Sequence, residues 1–397
     1  MNEQLIVKNF GPIKDAIVDF KRVTVFIGPT GGGKSTLAKL AAVFRNDYWQ
    51  IQTQDTEAEK KNRFDELLDL YQIQDYLEVN GKLNWKQSDA SISYTTQQLI
   101  HDNSISKRQK RYKQGQELLS NLDTRLANGG QTATPDEVYK LELMWAPDVS
   151  ICYIPAERAF SAILANSLAG LMLNKIAVPE LMLHFLNEFN HAQGKLYSFP
   201  LEIPFLNVFY RLHDKQPRLD LGDGGLVELG RSASGMQAVV PMMLVIRNAA
   251  TNGSVPLLFP HTFIIEEPEL NLYPTAQQGL LTWLVEKCTK GENDLTITTH
   301  SPYLLAHFNT LLFAHQVAQN HPERADEIAK IVPRESWLDP KEFAAYHVEG
   351  QKENGVRSIV NPETGLISYN GLDAIASAEA TEFEKLLDIN AGLQVEW

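Results

Sequence analysis

The 397-residue chain carries 36 Lys and Arg against 49 Asp and Glu, a net charge of −13, with 44% hydrophobic and 21% charged residues. Those proportions exclude a wholly disordered chain, and at ~150 residues per domain the length suggests two or three units. No apolar run approaches the ~18–20 residues of a membrane helix. The N-terminus, MNEQLIVKNF, has neither a basic n-region nor a long apolar h-region, so no signal peptide is expected. Cys152 and Cys288 stand single and distant, which argues against a disulfide framework and a Cys-rich zinc site. The chain reads as cytoplasmic, and its acidic charge argues against indiscriminate coating of nucleic acid.

In chain order, 5–7 and 16–20 alternate as strands do, and 23–27 is an almost continuous β-branched and apolar run, as in a strand buried on both faces. It leads into Gly28, Pro29, Thr30, Gly31, Gly32, Gly33, Lys34, Ser35 and Thr36, and then into a helical pattern over 37–44. From Arg45 to about Ser150 the texture is polar. Phe64, Leu67, Leu68 and Tyr71 have helical spacing, 83–85 and 92–94 read as short antiparallel strands, and 104–127 reads as a helix. Residues 151–154 suggest a strand returning to the core, and 160–215 a mostly helical stretch broken at Pro179, Gly194, Pro200 and Pro204. Strands at 255–259, 262–265 and 295–299, the last two joined through a helix from Thr275 to about Lys290, imply a parallel sheet with right-handed crossovers. The last stretch holds a hairpin of 358–360 with 366–368 and an amphipathic helix near 379–387. The expected organisation is an N-terminal core (1–45), an inserted α+β lobe (46–150), a helical signature subdomain (151–250), a C-terminal core (251–310) and a C-terminal α/β extension (311–397).

Gly28-x-x-x-x-Gly33-Lys34-Ser35 matches the Walker A pattern in full, between the strand and helix that the motif requires. Its glycines let backbone N–H groups converge on phosphate oxygens, and the helix N-terminus adds partial positive charge at the same spot. Lys34 then reaches the β- and γ-phosphates and Ser35 ligates Mg²⁺. Downstream, Phe263-Ile-Ile-Glu266-Glu267-Pro268 is an apolar strand ending in two carboxylates, which assigns Glu266 to the metal and Glu267 to polarising water as general base. His300 again follows a strand, in Thr298-Thr-His-Ser-Pro302, where it can hydrogen-bond the γ-phosphate and sense its loss. Between them, Ser234, Gly235 and Gln237 stand at the start of an apolar helix, a second anion site. One triphosphate seldom needs two such sites, so two chains pairing head to tail fits better. Ser232 or Ser234 also suits simple N-capping.

Walker A, the Ser-Gly-x-Gln signature, hhhhEEP and Thr-His-Ser-Pro, in this order, resemble an ABC-type ATPase head, more narrowly the SMC/RecF/OLD-like branch of AAA family ATPases found in bacterial anti-phage operons. Asn9-Phe10-Gly11-Pro12-Ile13, Tyr153-Ile-Pro-Ala-Glu-Arg158 and Glu266-Glu-Pro-Glu-Leu-Asn-Leu-Tyr-Pro274 are in the same style. The resemblance implies an α/β P-loop head with a mixed sheet core and flanking helices, binding ATP and Mg²⁺. It places Gly28, Gly31, Gly33, Lys34, Ser35 and Thr36 on the phosphates, Ser35 and Glu266 at Mg²⁺, Glu267 as base and His300 as switch. Ser234, Gly235 and Gln237 act in trans on a partner's ATP in a homodimer or higher homo-oligomer. Glu266 and Met236 depart from the transporter pattern, Asn271 is the nearest substitute for a D-loop Asp, and Gln97 and Gln98 are candidates for the Q-loop. Arg158 either touches nucleotide, couples the insertion to the site, or forms a structural ion pair with Glu157 or another acid.

No Toprim-like Asp-x-Asp follows His300, and Pro135-Asp136-x-x-x-Lys140 lacks the strand context of a nuclease core, so any effector is expected on a separate chain. Lys107, Arg108, Lys110, Arg111 and Lys113 form the one dense basic cluster, suited to nucleic-acid phosphates or to a solvated helix face. The insertion is too short for SMC-type coiled-coil arms. The leading reading is a slow ATPase that dimerises on ATP and controls a separately encoded effector in phage defence. The alternatives are a RecF-like DNA-repair ATPase and the energy-coupling subunit of a transporter, which predicts a membrane partner and is disfavoured by the Asn9–Ile13 style.

Overall fold

The computed structural model describes residues 3–46, 56–87, 90–103, 107–128, 131–145, 149–164, 177–196, 200–214, 216–222, 225–250, 260–368, and 381, 383, 385 and 387. Its strands are β1 (Glu3–Phe10), β2 (Ile13–Phe20), β3 (Val23–Ile27), β4 (Leu77–Gln87), β5 (Ala90–Tyr94), β6 (Leu99–Asn103), β7 (Ser150–Ile154), β8 (Leu201–Ile203), β9 (Val208–His213), β10 (Gln216–Asp220), β11 (Leu226–Val227), β12 (His261–Glu266), β13 (Asp294–Thr299), β14 (Phe343–Val348) and β15 (Val356–Ser358). The central sheet runs β15-β14-β3-β13-β12-β7, and every pair in it is parallel except β14 with β15.

All residues of β3, β12, β13 and β14 are buried, because the sheet is covered on both faces. Period-two alternation then divides them between two cores. Val23, Val25 and Ile27 join Phe263, Ile265, Leu295 and Ile297 under the helices Glu180–Gly194, Ser234–Ala250, Pro274–Cys288 and Pro302–Asn320. Phe26, Ile264 and Tyr346 face the opposite core, with the helices Lys34–Arg45 and Glu57–Leu70. That second core is closed by a sheet of order β2-β1-β4-β5-β6, so strands from the 46–150 stretch continue the N-terminal hairpin. Trp85 of β4 stacks on Phe44 of the helix, ring centroids 5.5 Å apart. This is the mixed-sheet α/β head with flanking helices expected from the motifs.

Three departures from expectation are instructive. The 160–215 stretch is helical only in part: β8–β11 form an antiparallel sheet over 201–227. The prolines read as helix breaks hid an alternation, with Leu201, Ile203, Val208 and Tyr210 buried and Glu202, Phe209 and Arg211 outside. Second, β14 passed unnoticed, yet it lies beside β3 at the heart of the sheet, and it comes from the 311–397 stretch. Third, the expected 358–368 hairpin narrows to one bridge, Val360 to Ile367, while Ser358 belongs to β15 against β14. The expected strand 255–259 lies outside the described residues, as do 379 and 380 of the last helix, whose described residues 381, 383, 385 and 387 are helical.

A buried charge cluster clamps the strand starts to the end of the first helix. Arg45 donates to Glu3 Oε2 at 2.8 and 2.7 Å and to Asp294 Oδ1 at 2.9 Å. Thr262 and Gln87 satisfy the remaining oxygens of Asp294 and Glu3 at 2.7 and 2.8 Å. Removing one partner of such a cluster leaves an uncompensated charge in a dry site. Arg45→Met is expected to destabilise the fold by about 3–5 kcal/mol in urea unfolding, and Arg45→Met with Glu3→Gln and Asp294→Asn to recover part of that loss.

Candidate active site

The parallel register delivers the motifs to one edge of the sheet: Ile27 pairs with Thr299, and Glu266 with Thr298. The phosphate loop leaves β3 there. Gly28 has φ +153°, and a Cβ on it would lie 2.3 Å from the Val348 carbonyl oxygen at the end of β14. Gly33 has φ +101°, and its Cβ would lie 2.2 Å from Ile13 Cδ1 at the start of β2. The loop is therefore backed by two segments, which are themselves joined. Gly350 donates to Gly32 O at 2.8 Å and accepts from Lys14 N–H at 2.9 Å. The helix Lys34–Arg45 begins without a side-chain cap and without an acidic residue in its first turn. Its N–H groups and positive end are thus left to an anion.

Lys34 Nζ donates to the carbonyls of Gly28 and Pro29 at 2.9 and 3.0 Å and lies 3.0 Å from His300 Nε2. The same His300 nitrogen is 3.4 Å from Glu267 Oε1. Ser35 Oγ donates to Glu266 Oε2 at 2.5 Å, and the Tyr153 hydroxyl donates to the other oxygen of Glu266. A hydroxyl and a carboxylate side by side are hard oxygen donors of the kind Mg²⁺ takes from a protein, leaving its other positions to water and phosphate. Burial holds the Lys34 ammonium below its ordinary pKa, opposed by Glu267, Glu269 and Glu266. Burial and then Glu266 push the Tyr153 phenol well up, keeping it a donor.

Glu267 itself sits at φ +43°, a left-handed conformation costly for a residue with a long side chain. Its N–H donates to Thr298 O at 2.8 Å and its carbonyl accepts from Arg158 Nη2 at 2.7 Å, so the strained peptide is held from both sides. Arg158, fully buried, also donates to the carbonyls of Glu266 (2.7 Å), Ala238 (3.1 Å) and Pro155 (3.2 Å). None of these partners is a carboxylate, so the ion pair considered from the sequence gives way to backbone contacts. Burial lowers its pKa to about 10. Glu269 accepts from the His300 N–H at 2.9 Å and the Thr299 hydroxyl at 2.5 Å, anchoring the segment that carries His300, and burial raises its pKa. Ser301 caps the next helix through Leu304 N–H and donates to Gln277 Oε1 at 2.6 Å, which accounts for the Ser-Pro after His300.

Ser234 is exposed at the start of its helix, whereas Gly235 is buried: a Cβ there would lie 2.7 Å from the Asn271 carbonyl oxygen. The Gln237 amide turns back to the carbonyls of Ser232 and Gly230 at 2.8 and 3.3 Å. Gln97 and Gln98 stand in the turn joining β5 to β6. Asp136 and Lys140 pair at 2.6 Å along an exposed helix, Pro135–Trp145, which disposes of the nuclease-like reading. Lys107, Arg108, Lys110, Arg111 and Lys113 fall in the first turns of the helix Lys107–Ala127; Lys113 is exposed and the other four side chains lie outside those described. Sequence reasoning missed Tyr153, Glu269 and the β14 backing of the loop. Tyr153 and Glu269 lay within quoted segments, and the apolar run Phe343–Val348, ahead of Gly350, has the signature of a buried strand.

A glycine loop between a buried parallel strand and a helix, with carboxylates and a histidine at neighbouring strand ends, defines an α/β P-loop ATPase head. The AAA ATPase domain family matches residues 1–140 and 66–305, and the chain belongs to that family. Among solved structures it is similar to the SMC head domain from Thermotoga maritima, with 12% identity and TM-score 0.37, covering 77% of this chain and 92% of that one. It is also similar to the Smc head domain with an extended coiled coil bound to the C-terminal domain of ScpA, derived from Pyrococcus furiosus, with 10% identity and TM-score 0.38, covering 96% and 98%. No curated protein matches the chain. Among the described residues, no helix is long and apolar enough to cross a membrane. Gly28→Ala is expected to weaken binding of an ATP analogue at least about tenfold, ~1.4 kcal/mol, in calorimetric titration, since its methyl group displaces either the loop or Val348.

Proposed function

We propose that the chain hydrolyses ATP slowly with Mg²⁺, two copies closing head to tail so that Ser234, Gly235 and Gln237 of each meet the ATP held by residues 28–36 of the other. In this reading the cycle runs in the cytoplasm and controls a separately encoded effector in anti-phage defence. One observation carries the hydrolytic part: Lys34, Glu267 and His300, from three motifs far apart in sequence, meet at His300 Nε2, 3.0 Å from the ammonium and 3.4 Å from the carboxylate.

The backbone N–H groups of the loop and Lys34 take the phosphates, with Lys34 exchanging its carbonyl partners for β- and γ-oxygens. Ser35 and Glu266 would hold Mg²⁺, which when bound neutralises phosphate charge. Glu267 orients a water for in-line attack and receives its proton as the new P–O bond forms and the β–γ bridge breaks to ADP and phosphate. His300, between Lys34 and Glu267, registers the γ-phosphate and its departure. Support for a separate effector is the lack of a recognisable nuclease motif in the sequence.

Light scattering with and without ATP and Mg²⁺ tests the reading. Glu267→Gln is expected to lower kcat by about 10²–10⁴-fold, the usual worth of a general base, and to trap an ATP-dependent dimer. Ser234→Arg is expected to abolish both dimer and turnover while each chain still binds ATP. A Glu267→Gln protein that stays monomeric with ATP bound, or Ser234→Arg with normal turnover, would overturn the sandwich. Co-elution of the trapped dimer with duplex DNA, lost as salt rises, replaces effector control by the RecF-like alternative.

A further inference from the structure

Among the described residues Arg158 is the largest charged side chain with no exposed surface, and the proposed hydrolysis leaves it without a role. Its guanidinium makes four hydrogen bonds among the described residues, all to backbone carbonyls, on three separate elements. Pro155 O lies just after β7, Glu266 O and Glu267 O at the end of β12, and Ala238 O in the helix Ser234–Ala250. A planar cation with donors in a rigid fork fixes the relative placement of such acceptors, whereas a single ammonium cannot span them.

Two further features converge on the same turn of that helix. Pro241 lies inside it, so the Gln237 carbonyl loses the N–H it would otherwise bond, and Arg158 enters at the adjacent carbonyl of Ala238. At the helix start, Gly235 packs so closely on the Asn271 carbonyl that a Cβ would stand 2.7 Å away. The segment 266–272, which carries the hydrolytic carboxylate, and the helix end that carries Ser234 are thereby joined at two points. We propose that Arg158 is a positioning residue that makes the Glu267 peptide of one nucleotide site and the signature helix offered to the other nucleotide a single rigid unit. This rests on the sandwich reading: in a head-to-tail pair, moving Glu267 on one ATP moves Ser234 on the other, and the two sites fire as one.

Arg158 makes no hydrogen bond to residues 28–36 among those described, so its loss is expected to leave ATP affinity within about twofold, while ATP-driven pairing weakens at least about tenfold, within the ~5–150-fold span of coupling between sites. The test compares Glu267→Gln with Glu267→Gln/Arg158→Gln, measuring fluorescent ATP-analogue affinity and the dimer dissociation constant by sedimentation. In the otherwise native chain, Arg158→Gln is expected to lower kcat with KM little changed and to reduce the Hill coefficient for ATP towards one. Arg158→Lys, which keeps the charge without the fork, is expected to restore folding but not cooperativity, and it replaces Arg158→Gln should that variant fail to fold. Equal dimerisation of the two Gln proteins, or full cooperativity in Arg158→Lys, overturns the coupling alone. A Glu267→Gln protein that binds ATP and never pairs overturns the sandwich, and the coupling with it.

Discussion

The site depends on one constraint, the register of parallel strands in the central sheet. Ile27 stands opposite Thr299, and Thr298 opposite Glu266, so the chain leaves three strands at the same level and the glycine loop, the carboxylates and His300 share one edge. A one-residue slip of β13 would shift His300 by about 3.3 Å along the strand and turn Ile297 and Thr298 to opposite cores. Leu295 and Ile297 of β13, buried in one core, resist that slip, which would put Thr296 and Thr298 in their place. The geometry of the candidate site is thus secured by packing in the core of the sheet.

The same edge gathers charge. Glu266, Glu267 and Glu269 lie near Lys34 and Arg158, and the two cations offset three carboxylates in a partly buried space. The division of labour among the acids follows from their partners. Glu266 is engaged by Ser35 and Tyr153, and Glu269 by the Thr299 hydroxyl and His300 N–H. Glu267 faces only the His300 ring among these groups, and its charge acts on Lys34. Its left-handed backbone is tolerable because Thr298 and Arg158 hold both ends of the peptide.

What could be read from the sequence was what is local. The phosphate loop needs glycine where φ is positive and where β14 and Ile13 come close, and an apolar strand and helix must flank it, so the whole unit is spelled within a short stretch. Glu266, Glu267 and His300 were legible as candidates because each stands at the end of a short strand rich in β-branched and apolar residues, Thr262–Ile265 or Leu295–Thr299. Arg158 was ambiguous for a physical reason: hydrogen bonds to backbone carbonyls impose no identity on the residues that accept them. The strands β8–β11 were obscured by prolines that suit a helix break as well as a strand end. Nor does any local pattern announce that β14 belongs next to β3.

That placement of β14 bears on how the molecule is made. β3 is flanked by Asp294–Thr299 on one side and Phe343–Val348 on the other, both late in the chain, and the Val348 carbonyl and Gly350 N–H support the glycine loop from behind. During synthesis the loop emerges before either strand that flanks β3, Asp294–Thr299 or Phe343–Val348. Pairing across so long a separation is slow and awaits the later strands. The nascent chain therefore completes the backing of its phosphate loop only once residues 343–350 have been made.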